Sequence, residues 1–397
     1  MQRWTCTDSP KMTTNRLVAV GKQTKTSCLS QRYIDGCMSR GILFDKMYSP
    51  FFMKLFRKHL YNLYKLKDNF MKSIGIFGQG FVGNAIHQGF KKHVNVLTYD
   101  KIEEKSNSNP EEIVNECQVI FICVPTPMYA ETGEASIQYV EDVILQIDDL
   151  AEEFGTNPTL IIKSTIPVGS SRRLNSISRY CDVIFSPEFL TEANAVKDFK
   201  TQKRIILGHE EDFNPEIVIE TFRLAFPKAK IVSLEPAEAE MVKYVTNTFL
   251  ATKVSYANEI YNICSNAHID YDKVIEAASL DKRLGDSHWM VPGPDGDFGF
   301  GGHCFPKDLQ ALRYIASQLP VQTTILDATL KSNNIVRNDR DWERQEGRAI
   351  ISDIRETQGR SIKHVNRNYK VFDILLKVIT ILGIGCMTYN IIKIITQ

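Results

Sequence analysis

This 397-residue chain has few of the sequence features that would point directly to a metal, a disulfide framework or a secretory pathway. Its nine cysteines form no CxxC pair and its eight histidines show no metal-ligand spacing. We therefore expect a reducing compartment, the cytoplasm, and no metal site. The formal net charge is +1, which indicates no nucleic-acid partner, and no clear secretory signal is present. What the chain does have is 43% hydrophobic residues, enough for a large core.

Residues 1–70 differ from the rest of the chain in charge, with 13 Lys/Arg against 4 Asp/Glu. Apolar residues there recur at helical spacing with basic residues between them, which predicts a basic amphipathic helix. These apolar residues are Phe52, Leu55, Phe56, Leu60, Leu63 and Tyr64. An anionic membrane, an organelle-targeting role and packing on the protein itself stay open for this N-terminal extension.

The tail, residues 349–397, ends in an apolar segment, Val371–Gln397. Charged residues leave only Val378–Ile392 free of charge, which is shorter than the roughly 20 residues that span a bilayer. A membrane anchor with snorkelling lysines, a buried helix and an interfacial helix remain three readings of this segment. Membrane contact is therefore left open.

A glycine-rich turn follows the first apolar run, Lys72–Phe77. Gly78, Gly80 and Gly83 have the GxGxxG spacing in which a strand runs into a helix whose N-terminus receives a pyrophosphate. A second apolar run then ends at Asp100, 20 residues after Gly80. An acid at that place binds the ribose hydroxyls, so the pattern predicts a dinucleotide site that prefers NAD to NADP.

Strand and helix patterns alternate over residues 71–234, which predicts an α/β, Rossmann-type doubly wound parallel sheet. Further strands are expected at Val94–Tyr99, Val119–Val124, Thr159–Lys163, Asp182–Phe185 and Arg204–Leu207. In such sheets ligands bind at the carboxyl ends of the strands. From Pro236 a long helical pattern runs to about Ala267 and opens a second, helical domain, residues 235–348.

Two groups of residues in the second domain suggest chemistry. Cys304 stands two residues before Pro306, which is favoured in the first turn of a helix, and Lys307 adds a cation. The helix dipole and the cation both favour a thiolate, so Cys304 is a candidate nucleophile with Asp308 on the same helix face. Lys243 and Asn247 share a face of the long helix, although a helical lysine is usually a solvated charge.

Taken together, these segments resemble the UDP-glucose/GDP-mannose dehydrogenase family, and within it most closely the UDP-glucose 6-dehydrogenases. The resemblance spans roughly Lys72 to Arg348. It rests on GQGFVG, VPTP, KSTIPVGSSR, SPEFLTEANAVKD, EAEMVKYVTNTFLATKVSYANE, LDKRLG and PGPDGDFGFGGHCFPKD, in family order. The family oxidises the C6 alcohol of a nucleotide sugar to a carboxylate, with two NAD in succession and one active-site cysteine.

The resemblance implies that Cys304 adds to the C6 aldehyde as a thiohemiacetal, which is oxidised to a thioester and hydrolysed. Lys243 would stabilise the oxyanion, and Glu188 or Glu192 would be the hydrolytic base, with the choice open. The implied catalytic residues are Cys304, Lys243, Asp308, Asn247, Glu188 and Thr165. Those implied for the cofactor are Gly78, Gly80, Phe81, Val82, Gly83, Asp100, Pro125, Thr126 and Thr165. Those implied for the sugar nucleotide are Phe189, Leu190, Glu192, Lys243, Asn247, Arg283, Phe300 and Gly301.

The resemblance also implies a homodimer, in which Arg283 reaches across to the partner's site. Two departures stand out: Ala193 replaces a glycine that many members have, and only 49 residues follow Arg348, where a second nucleotide-binding domain is usual. We therefore expect that domain to be absent. The substrate is expected to be UDP-glucose. GDP-mannose or a UDP-N-acetylhexosamine as substrate, a one-hydride 3-hydroxyacid dehydrogenase, and a nucleotide-sugar binding protein with little turnover are the alternatives.

Overall fold

The computed structural model describes residues 73–352, which fall within one compact unit of the chain. The amphipathic helix expected before Met71 and the apolar segment Val371–Gln397 lie outside the described residues. Within the described part, no helix is long and apolar enough to cross a membrane.

A seven-stranded sheet forms the centre of the molecule, with strand order β2-β1-β3-β5-β6-β7-β8. Its first five strands are parallel, which confirms the predicted doubly wound sheet. Within residues 73–352, a second sheet pairs β4 with β9. The strands are β1 Ser73–Phe77, β2 Asn95–Tyr99, β3 Val119–Ile122, β4 Met128–Tyr129, β5 Thr159–Ile162, β6 Asp182–Phe185, β7 Arg204–Gly208, β8 Lys230–Leu234 and β9 Ile350–Ile351.

Helices cover both faces of the large sheet because its strands are apolar on both sides. In β5, Leu160 and Ile162 pack with one helix layer while Ile161 packs with the other, as the two-residue period of a strand requires. The helices are α1 Phe81–Phe90, α2 Pro110–Glu116, α3 Gln138–Phe154, α4 Ser170–Ile177, α5 Ala195–Lys200, α6 Glu216–Ala225, α7 Pro236–Asn266, α8 Tyr271–Ala278, α9 Phe305–Ser317 and α10 Thr324–Val336.

The far edge of the large sheet departs from the prediction. Strand β7 meets β6 in one antiparallel bridge, between Phe185 and Gly208, and β8 pairs in parallel with β7. The pattern of apolar residues predicts a strand but not its direction, so this reversal was not visible in the sequence. Strand β9 returns to the first domain and pairs with β4.

Helix α7 spans 31 residues, about 46 Å at the usual rise, and carries side chains into the site. It starts with Pro236 in its first turn and a capping box between Glu235 and Glu238. Its polar residues Glu240, Lys243 and Asn247 are buried toward the large sheet and α9. Another face of α7 is apolar and exposed: Val245, Phe249, Tyr256 and Ile263.

Candidate active site

The glycine turn after β1 has the geometry of a dinucleotide cradle. Gly78 has a φ of +92°, and a Cβ on Gly83 would lie 1.9 Å from the Gly78 carbonyl oxygen. No described atom lies within 4 Å of the point where a Gly80 Cβ would stand. Asp100 lies beside the turn, where its Oδ2 accepts the Gln79 N–H at 2.6 Å. A pyrophosphate and a ribose therefore have room, N–H groups and an acid close together, which fits NAD.

The neighbouring strand ends supply the next residues of the predicted site. After β3, Pro125 is exposed and Thr126 is buried, and after β5 Thr165 is buried. The two loops are joined because the Ser164 hydroxyl donates to the Val124 carbonyl at 2.6 Å. The parallel sheet thus brings both loops to the edge that holds the glycine turn.

A buried ion pair joins the first domain to the second. The Lys243 ammonium lies 2.7 Å from Glu188 Oε1 and also donates to the Glu188 carbonyl at 2.8 Å. The other carboxylate oxygen accepts the Leu190 N–H at 2.7 Å. Burial lowers the pKa of Lys243, but Glu188, Asp308 and Cys304 outweigh it, so the pKa is raised. Lys243 is therefore a permanent cation inside the protein and not the solvated charge that is usual for a helical lysine.

Asp308 forms a second charged cluster at the start of α9. Its Oδ2 accepts from the Asn247 amide at 2.6 Å, and its Oδ1 lies 2.5 Å from the Lys307 ammonium. Both Asp308 and Lys307 are buried. The predicted Lys243–Asn247 pair therefore faces the helix that begins just after Cys304, and the structure brings these residues together.

Cys304 is half-buried and stands at the N-cap position of α9, where its side chain makes no capping hydrogen bond. Its expected thiolate character is not found. Burial raises the pKa of the thiol to about 12, with Glu188 and Asp308 adding to the rise and Lys243 and Lys307 opposing it. The sequence shows the helix dipole and one nearby cation, but it does not show that the thiol is buried or that Glu188 lies near it.

The two candidate bases occupy different environments. Glu188 is 7% exposed and held by Lys243. Glu192 is 49% exposed at its side chain, is paired with Arg348, and lies 3.2 Å from the Nδ1 of His303. Of these two acids, Glu188 and not Glu192 contributes to the raised pKa of the Cys304 thiol, so Glu188 is the one that shares the thiol's environment.

The glycine loop before Cys304 is held from behind by polar side chains. Phe300 is buried, and both its N–H and its carbonyl are bonded to the Asn333 amide, at 2.7 and 3.0 Å. A Cβ on Gly301 would lie 2.1 Å from the Arg337 guanidinium. The backbone N–H and carbonyl of Phe300 are therefore already hydrogen-bonded within the protein. Its predicted contact with the substrate would have to come from its ring or from neighbouring residues.

The remaining predicted substrate residues are spread more widely. The Phe189 ring lies 5.8 Å from the Lys243 ammonium, and the half-buried Leu190 turns its N–H to Glu188. Arg283 has an 88% exposed side chain and pairs with Asp281. Among the described residues, none of the hydrogen bonds of Arg283 reaches Cys304, Lys243 or Asp308. Its predicted role across a dimer stays a prediction.

Two buried charged residues near the site were missed by sequence reasoning. Lys163, after β5, donates to the Ser186 hydroxyl and the Pro187 carbonyl. Glu240, one turn before Lys243, accepts from the Ser171 N–H at 2.7 Å and from Gly169 at the start of α4. The signal for Lys163 was present, since a lysine ends an otherwise apolar strand next to Ser164 and Thr165.

The ring of His303, next to Cys304 in the chain, lies 5.2 Å from the ring of Phe81 at the start of α1. A thiol, a buried ammonium and two buried carboxylates therefore lie beside the dinucleotide cradle. Models of one protein family match both halves of the described chain. Residues 99–225 match the UDP-glucose/GDP-mannose dehydrogenase family, NAD binding domain, and residues 237–335 match its central domain. The chain belongs to this family. The match to the NAD binding domain also identifies NAD as the cofactor.

Individual relatives agree with this assignment. The chain is 34% identical over 251 residues to a UDP-glucose 6-dehydrogenase of Rickettsia bellii, a match that covers 61% of this chain and 55% of the relative. It is 32% identical over 233 residues to a GDP-mannose 6-dehydrogenase of Pseudomonas savastanoi pv. phaseolicola, covering 56% and 52%. The chain spans about half the length of the curated relatives it matches.

The fold is also that of a solved family member. A UDP-glucose dehydrogenase from the archaeon Pyrobaculum islandicum superposes with a TM-score of 0.59 at 29% identity, over 68% of this chain and 69% of the other. The predicted Rossmann-type fold and the resemblance to the family are confirmed.

Proposed function

We propose that this protein oxidises the C6 alcohol of a nucleotide sugar, UDP-glucose in first place, to the carboxylate through a thioester on Cys304. The observation that carries the proposal is the Glu188–Lys243–Cys304–Asp308 cluster, which stands beside the glycine turn. Residues 71–234 would bind NAD, and residues 235–348 would supply Cys304 and Lys243. The glycine turn and Asp100 would hold NAD, which would supply the acceptor for the hydride that leaves C6 in each oxidation.

Lys243 is suited to stabilise negative charge on the sugar oxygen. Its ammonium is buried and charged, so an alkoxide or a tetrahedral oxyanion beside it is stabilised more than in water. Asn247 is bonded to Asp308, which fixes the amide next to the cation. We propose that Lys243 stabilises the oxyanion and that Asn247 holds the sugar in position.

The Cys304 thiol must lose its proton as it attacks the aldehyde, because its pKa of about 12 leaves it protonated at neutral pH. Attack forms the C–S bond and opens the C=O double bond, and the aldehyde oxygen takes up a proton to give the hydroxyl of a thiohemiacetal. Loss of that hydroxyl proton and of the C–H as hydride to the second NAD gives the thioester. Water cleaves the thioester, which releases the acid and returns the thiol. An aldehyde carbon can lose a second hydride only after a nucleophile has made it tetrahedral, and we assign that addition to the Cys304 sulfur.

Hydrolysis needs a base close to the thioester, and we assign that role to Glu188 and not to Glu192. Glu188 is buried among Lys243, Leu190 and Cys304, whereas Glu192 is half-exposed and paired with Arg348. A Glu188→Gln protein should complete both oxidations and accumulate the thioester. A Glu192→Gln protein should show a higher KM for the sugar nucleotide with hydrolysis retained, and the reverse result contradicts the assignment.

The identity of the nucleotide sugar rests on the resemblance and on the names of the relatives. Some of these are UDP-glucose 6-dehydrogenases, and one is a GDP-mannose 6-dehydrogenase. The test is a screen of UDP-glucose, UDP-N-acetylhexosamines and GDP-mannose with NAD, with NADH as the readout. We expect UDP-glucose to give the highest kcat/KM. Binding of a nucleotide sugar without NADH would instead support a binding protein with little turnover.

We also propose a homodimer formed through α7. Its exposed residues Val245, Phe249, Tyr256 and Ile263 follow one another by 4, 7 and 7 positions and so share a face. Phe249 is 66% exposed. A Phe249→Asp protein should be monomeric by light scattering while an exposed control, Lys228→Asp, stays dimeric, and a monomeric wild type would contradict the proposal.

A further inference from the structure

Lys163 is a buried cation with few partners. It follows the last residue of β5 and is 3% exposed. Its ammonium donates to the Ser186 hydroxyl at 3.2 Å and to the Pro187 carbonyl at 3.0 Å, and lies 5.8 Å from the centre of the Phe222 ring. Both of these hydrogen-bond acceptors belong to the loop that follows β6.

The same loop is held by a second lysine one residue later. The Pro187 carbonyl accepts from Lys163, and the next carbonyl, that of Glu188, accepts from Lys243. Two ammonium groups from different elements, the end of β5 and helix α7, therefore fix two successive peptide units. With its backbone fixed from both sides, Glu188 has its carboxylate directed at Lys243 and at the Leu190 N–H.

We propose that Lys163 is a positioning residue that fixes the Pro187–Glu188 backbone so that Glu188 is aligned for hydrolysis of the thioester. The inference rests on the function proposed for Glu188. Lys163 need not touch the sugar or the cofactor. It acts through the peptide carbonyl that precedes Glu188 and through its charge.

The charges around Lys163 agree with such a role. An ammonium buried against neutral oxygens is costly, and burial lowers the pKa of Lys163 to about 8. Cys123, which follows β3, and Glu188 raise this pKa, and Lys243 lowers it, so the groups that face Lys163 come from three different segments.

The first test separates positioning from general stability. In Lys163→Met and Lys163→Gln proteins, we expect the hydrolysis step to slow about tenfold to hundredfold while both oxidations proceed, since a small displacement of a base has effects of this size. The measured quantity is the amount of protein–sugar thioester, which is trapped by a rapid acid quench and detected by mass spectrometry of the intact protein. Equal slowing of oxidation and hydrolysis would overturn the proposal.

The chain offers a matched control in Lys253. This lysine is also buried, donates to two carbonyls, those of Leu284 and Gly285, and lies 4.5 Å from the centre of the Trp289 ring. A Lys253→Met protein should lose stability as Lys163→Met does, without accumulating the thioester. Accumulation in the control would show that any lost buried lysine has this effect, and would overturn the proposal.

A second measurement needs no turnover and so stays readable if the proposed function fails. Lysine-selective NMR of the full protein should show one side chain that titrates near pH 8 and whose signal is missing in Lys163→Gln. In Glu188→Gln the pKa of Lys163 should fall, because a nearby carboxylate that raises it is removed. An unchanged pKa would mean that Lys163 and Glu188 are not coupled, and the inference would be wrong.

Discussion

Replacing Lys243 by methionine should strongly destabilise the protein. Lys243 and Glu188 are 3% and 7% exposed at their side chains, and their charged atoms lie 2.7 Å apart. Without the lysine, the hydrogen bond that Glu188 keeps among the described residues is the one from the Leu190 N–H, although its charge stays buried. Removal of one member of a buried pair typically costs about 3–5 kcal/mol in the free energy of unfolding.

The double substitution Lys243→Met with Glu188→Gln should recover part of this loss, because no uncompensated charge is left. We expect a coupling energy of about 2 kcal/mol between the two sites, within the range measured for residues in contact. The assay is urea unfolding of the four proteins of the cycle at pH 7, followed by circular dichroism. If the two single substitutions add to the double substitution within about 0.5 kcal/mol, the two side chains are not coupled and the predicted ion-pair contribution is wrong.

The exposed pair Arg313–Asp327 is the control for this cycle. Its side chains are 33% and 48% exposed at a separation of 2.5 Å. Solvent screening should hold the coupling there below about 1 kcal/mol. Because the pKa of Lys243 is raised, the contribution of its charge is complete below the unfolded value of 10.5 and is lost only as the pH rises through the higher folded value. The coupling should therefore be constant between pH 6 and pH 9.

Three further predictions concern the cofactor and the thiol. Asp100 should make NAD the preferred cofactor over NADP by kcat/KM, and Asp100→Asn should narrow that preference; equal use by the wild type would mean that the acid is misassigned. Gly83→Ala should lower the free energy of unfolding in urea by about 1–3 kcal/mol, because its Cβ would meet a backbone oxygen at 1.9 Å. Gly80→Ala should fold normally and only weaken NAD binding, because no described atom lies near its Cβ. Equal stability of the two variants would contradict the geometry. Alkylation of Cys304 by iodoacetamide should rise about tenfold per pH unit from pH 7 to pH 10 without a plateau, because its pKa is about 12, and a plateau near pH 8 would show a preformed thiolate.

The sheet and the cofactor turn were predictable because local patterns determine them. Glycine spacing, a preceding apolar strand and an acid 20 residues later define the β1–α1 unit, and Asp100 does lie beside Gln79. The long helix was predicted from Pro236 to about Ala267 and runs from Pro236 to Asn266. The direction of β7 was not predictable, since side-chain alternation is the same in both directions.

The chemistry of the site was only partly predictable, because electrostatics depends on tertiary neighbours. The sequence located Cys304 and Lys243, but the order of residues does not show that Glu188 faces both. The raised pKa of the thiol follows from burial and from that carboxylate. Lys163 was overlooked for the same reason, since its role depends on a loop more than 20 residues away.

The most direct test of the account is the number of NADH formed per sugar oxidised. Limiting UDP-glucose with excess NAD should yield two NADH and one UDP-glucuronate with the wild-type protein. The Cys304→Ala protein should still bind NAD but form no UDP-glucuronate, because the aldehyde cannot become a hydride donor through sulfur. One NADH per sugar in the wild type, or two in Cys304→Ala, would contradict the covalent mechanism.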